Sequence, residues 1–104
     1  MDKKTLQKTF RYINERLFDN LLDEPEFYLY DYDECMAFDT VLCDGMFLWQ
    51  ENLIAIWDET NIFDTMVHEM IHLWQFQNNK YMGHEGWFRI WCEKAIEEFY
   101  YKKL

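Results

Sequence analysis

IFDTMVHEMIHLWQFQ, residues 62–77, is too long for a strand and apolar on nearly every face, the pattern of a helix buried at the centre of a domain. Thr60 and Asn61 offer N-caps, and Asp64 puts a negative charge in the first turn, where the helix dipole favours it. Asn78-Asn79 and then Gly83 break the run. A helix buried in this way should not carry ionisable side chains without a reason. This one carries His68, Glu69 and His72 in the string HEMIH.

Residues four apart project from one helical face, so both imidazoles can reach a single ion. Glu69 is rotated from His68 by roughly 100° and is long enough to reach a water on that ion. This is the HExxH arrangement of zinc peptidases, with two ligands and a carboxylate that takes the proton of the activated water. A pair of hydrogen-bonded core histidines is the plainer reading. The third and last histidine argues against it: His84 follows His72 by 12 residues, in a Gly-His-Glu-Gly turn where the chain can double back. Three protein ligands plus water is the catalytic zinc pattern, whereas structural zinc usually takes four. The expectation is one zinc per chain on His68, His72 and His84, with Glu69 as general base. Glu93 is the rival third ligand, since a carboxylate from a following helix is the other common solution. The metzincin pattern is not met, because it needs glycine at Gln75 and histidine at Asn78. Gln75 and Asn79 continue the His68/His72 face and are candidates to bind substrate backbone or orient a ligand. Tyr81, between the ligands, is a candidate oxyanion stabiliser.

Working outward, Leu6, Phe10, Ile13, Leu17 and Leu21 mark one face of an N-terminal amphipathic helix. Asp19-Asn20 and Asp23-Glu24-Pro25 end it. Short β-favouring runs follow at 27–30, 36–42, 46–49 and 53–57, separated by acidic or glycine-containing turns at 43–45 and 50–52. Brief turns favour antiparallel neighbours, so three or four antiparallel strands are expected. LIAIW, 53–57, leads into the metal helix and is the candidate edge strand for an extended peptide. A last helix from about His84 to Tyr101 turns Phe88, Trp91, Ala95, Ile96 and Phe99 inward. Trp74, Trp87, Phe76, Met46, Met66 and Met70 read as core. The order is helix, strands, helix, helix: an α+β fold in a single domain over residues 1–104.

The chain has 20 acidic against 10 basic residues, a net charge of −10. Residues 17–79 hold 14 of the acids and no Lys or Arg. Such a balance excludes a dedicated duplex-DNA binder, which needs many cations. Direct DNA contact, if any, falls to the terminal helices, since all the bases lie in the two ends of the chain. Acidity around the site favours cationic peptide segments. No apolar run is long enough to span a membrane, and the N-terminus has no signal-peptide pattern. Cys35, Cys43 and Cys92 form no CxxC pair and cannot all pair with each other, which points to reduced thiols and the cytoplasm.

Three segments resemble the SprT-like zinc metallopeptidases, a family that includes the Spartan proteases of DNA–protein crosslinks. Ile13-Asn14-Glu15-Arg16-Leu17-Phe18-Asp19-Asn20-Leu21-Leu22 is similar to the family's opening helix, and Thr65–His72 to its metal helix. Asn78-Asn79 and Gly83-His84-Glu85-Gly86-Trp87-Phe88 resemble its third-ligand segment. The resemblance implies a zincin-like fold, with a helix, a small antiparallel sheet and two helices around zinc, and His84 as third ligand. It departs at Glu85, where the family often has glycine, and in lacking the cysteines of a C-terminal zinc ribbon. The expected activity is zinc-dependent cleavage of a protein or peptide. A zinc-holding interaction module without proteolysis and an acidic partner-binding protein are the alternatives.

Overall fold

Asp2 opens the first helix by accepting a hydrogen bond from the Thr5 backbone N–H at 3.0 Å, and α1 runs over Lys3–Leu17. The computed structural model describes residues 2–30, 45–57 and 61–101. Leu6, Phe10 and Ile13 turn inward and are buried, as their spacing requires. The stripe does not extend to Leu21. Asp19 and Asn20 take left-handed backbone angles (φ 53° and 60°), which turns the chain out of the helix. Leu21 is therefore 71% exposed, and Phe18 and Leu22 are buried instead. Asn14 fixes this exit: its amide donates to the Leu22 carbonyl at 3.0 Å and accepts from the Leu22 N–H at 3.2 Å.

Strands β1 (Glu26–Tyr30), β2 (Gly45–Leu48) and β3 (Leu53–Trp57) form one sheet in the order β1-β3-β2. The sheet is mixed, which corrects the antiparallel expectation. β2 and β3 are an antiparallel hairpin, closed by Glu51 N–H to Leu48 O at 3.1 Å. β1 runs parallel to β3, with Glu26 opposite Leu53 and Tyr30 opposite Trp57. A short turn dictates the direction of the strands it joins, here β2 and β3 only. The longer connection from β1 leaves its partner free, and the unbroken apolar run Ile54-Ala55-Ile56 suits a strand with neighbours on both sides. LIAIW is thus the central strand, not an edge. The strand expected at 36–42, together with Cys35 and Cys43, lies outside the described residues.

Helix α2 spans Ile62–Gln77, with Asn61 as N-cap accepting from the Asp64 N–H. Helix α3 spans Trp87–Ile96 and continues as a π-helical turn, Glu97–Tyr101. It begins after the His84 turn rather than at it. Met66, Met70, Ile71 and Leu73 of α2 join Ile54 and Ile56 of β3, the α1 stripe, and Phe88, Ala95 and Phe99 in one core. Phe10 meets Phe27 edge to face at 5.5 Å. Gln77 ties α2 to the α1 exit by accepting from the Asp23 N–H at 2.8 Å. Phe76, Trp87 and Ile96, expected inside, remain partly exposed; a domain this small has more large apolar side chains than interior. Among the described residues, no helix is long and apolar enough to cross a membrane.

Candidate metal centre

α2 presents His68 and His72 on one face, with ring centroids 5.0 Å apart. His84 comes back to them from the turn after α2. Its Nε2 lies 3.2 Å from His72 Nε2 and 3.3 Å from His68 Nε2. Two nitrogens each bonded to a tetrahedral zinc at about 2.0–2.1 Å sit roughly 3.3–3.4 Å apart. Both separations from His84 match that spacing, and the ligand nitrogens of all three residues lie within 4.8 Å of one another; a donor set of neutral nitrogens suits zinc. They are the group of potential metal ligands that the described residues bring together. Glu93 is not a member of it.

Phe88, buried at the start of α3, packs against all three rings at centroid distances of 4.8, 5.0 and 4.8 Å. Burial pushes His68 down to about 4, helped by the neighbouring His72 and His84. It lowers His72 as well, against the opposing pull of a hydrogen bond to Gln75. Both effects favour the neutral imidazole, which is the form that binds metal.

Glu69 is 5% exposed. Burial raises its pKa to about 7, opposed by a hydrogen bond from the Phe47 backbone. β2 thus lies directly against this part of α2. Gly45 permits the approach: a Cβ there would stand 2.6 Å from Thr65 Cγ2 and 3.1 Å from the Ala55 carbonyl oxygen. Sequence reasoning placed Gly45 in a turn and Phe88 in the core, and assigned neither to the site. The only signal for Phe88 was its position just after the Gly-His pair.

The other candidates differ in placement. Gln75 is fully buried. Its Oε1 lies 2.8 Å from His72 Nδ1, and its Nε2 donates to the Gly83 carbonyl at 3.0 Å. Tyr81 is 88% exposed, with its ring over Gly83, one residue before His84. Asn79 has left the helical face, because α2 ends at Gln77 and Asn79 takes a left-handed φ of 55°. Glu85, in the turn before α3, is exposed and lies 3.5 Å from Arg89 of that helix. Cys92 is half-buried, and burial raises its thiol pKa, with Glu93 adding to the effect.

Comparison with protein-family models, with curated proteins and with solved structures returns no match.

Proposed function

We propose that the chain is a zinc-dependent endopeptidase with a SprT-like, zincin-type site, in which His68, His72 and His84 hold the ion and Glu69 is the general base. The observation that carries this reading is the convergence of the three imidazoles, with His84 Nε2 at 3.2 and 3.3 Å from the other two Nε2 atoms and the ligand nitrogens of all three within 4.8 Å of one another, beside a buried carboxylate one residue from the first ligand. A zinc ion held there supplies an acidified water and polarisation of the scissile carbonyl. Glu69 takes the proton from the attacking water and passes it to the leaving amine nitrogen. A carboxyl with its pKa raised to about 7 can both accept and release that proton near neutrality. Phe88 packs against all three imidazoles and supports their arrangement.

The substrate part first given to LIAIW passes to β2. Among the described residues β2 pairs on one side only, with β3. A hydrogen bond from the Phe47 backbone opposes the effect of burial on Glu69, which puts β2 beside the general base. An extended peptide added there lies alongside the catalytic carboxylate.

The test compares wild type with Glu69→Gln on an unfolded protein substrate, with zinc content measured in both. The expected result is one zinc in each and a loss of cleavage of about 10²–10⁴-fold in the variant. Equal cleavage by the variant overturns the assignment of Glu69. Wild type that holds zinc but cleaves nothing would make the chain a zinc-holding interaction module instead.

A further inference from the structure

Gln75 makes three hydrogen bonds that meet at the site. Its backbone carbonyl accepts from the Lys80 N–H at 2.7 Å, and Asn79 N–H bonds Phe76 O at 3.3 Å. With Asn79 left-handed, this pair of bonds closes the helix and sends the chain back towards it. The side chain then holds the returning strand at Gly83, immediately before His84. Its other end holds His72.

The chemistry of the partners fixes the directions of these bonds. The Gly83 carbonyl can only accept, so the amide nitrogen of Gln75 must face it. The amide oxygen therefore faces His72 and can only accept, so His72 Nδ1 carries the proton. That leaves the lone pair of His72 on Nε2, the atom that converges with those of His68 and His84. One wholly buried side chain sets the tautomer of one ligand and the backbone position of the next.

Resting on the metal-site reading above, we infer that Gln75 is a positioning residue that couples His72 and His84, so that the two ligands are organised together. It is not a substrate contact: no part of it reaches solvent. Outer partners of ligating histidines are worth about 10–100-fold in metal affinity. Here the effect is divided between two ligands and is not additive.

The experiment measures zinc affinity by chelator competition in wild type, Gln75→Met, His84→Ala and the double variant. It also follows the His72 ring nitrogens by ¹⁵N NMR in the metal-free protein. Gln75→Met should weaken zinc about 10–100-fold, and by distinctly less in the His84→Ala background, where the Gly83 bond no longer serves a ligand. Equal losses in both backgrounds overturn the coupling. In wild type, His72 should carry its proton on Nδ1; a proton on Nε2 overturns the inference without any variant. Gln75→Glu keeps the acceptor and should keep that tautomer, whereas Gln75→Met should release it. A residue that merely filled space would lower the melting temperature and leave tautomer and coupling unchanged. Absence of zinc from wild type would instead remove the metal-site reading itself.

Discussion

α1 and α2 end on similar devices. Each gives way to left-handed polar residues, Asp19-Asn20 after α1 and Asn79 after α2. Each has a buried amide in its last turn that reaches across to the departing chain, Asn14 in the first case and Gln75 in the second. Both amides are fully engaged, as burial demands. They differ in where the bonds go. Asn14 spends both on the backbone of Leu22, so its whole effect is to hold one loop against the core. Gln75 spends one on the backbone of Gly83 and the other on the imidazole of His72. The lesson is that a buried amide becomes part of a site when one of its bonds ends on a reactive side chain.

The comparison breaks most easily at the metal. His72→Ala should weaken zinc by well over ~100-fold, beyond the range of any outer partner; Asn14→Ala should leave one zinc per folded chain. Metal analysis of the two variants checks this, and loss of zinc from folded Asn14→Ala would erase the distinction. The second effect is on stability. Asn14→Ala strips the Leu22 N–H and C=O of their partners, at about 2–4 kcal/mol in all. That is a fall of roughly 10–20 °C in melting temperature for a domain of this size. A smaller effect is expected at Gly45→Ala, where the added methyl meets Thr65 Cγ2 and the Ala55 carbonyl. Overpacking of this kind costs about 1–3 kcal/mol. Because Glu69 Cγ lies 3.5 Å from the same position, cleavage should fall by more than stability alone explains, which activity per folded molecule would show.

The smallest effect is a pH dependence of the metal-free protein. His68 sits at about 4, below its ordinary 6.5, so the unfolded chain binds the extra proton, and this residue costs stability as pH falls through that window. Glu69 sits at about 7, above its ordinary 4.5, so the folded chain holds the extra proton, and its contribution is lost as pH rises from 4.5 to 7. Between pH 4.5 and 6.5 the two slopes oppose. Glu69→Gln removes the second, so its melting temperature, measured in chelator, should climb more steeply with pH than that of wild type. Parallel curves would contradict the burial assigned to Glu69.

Much of this was legible in the sequence, for identifiable reasons. The α2 run and the α1 stripe are periodic, and periodicity reports a face directly. His68, Glu69 and His72 share one helix, so their grouping needs only local geometry. His84 could be placed because a turn residue follows the helix closely. What failed depended on contacts distant in sequence. The direction of β1 was not readable, because no short turn ties it to its partner β3. Leu21 was read as continuing a stripe that two left-handed residues cut short. Gln75 carried no signal beyond sharing the histidine face, since its importance lies in the return of Gly83 to it. Phe88 looked like any core aromatic until three imidazoles were found around it.

The central claim is that three imidazoles from α2 and its return turn hold one ion and leave a position open. Zinc K-edge X-ray absorption on the purified protein tests it most directly. The account expects one zinc per chain with three imidazole nitrogens and one further light ligand, all at about 2.0–2.1 Å. Sulfur scattering at about 2.3 Å, or a protein that keeps no zinc, would contradict it.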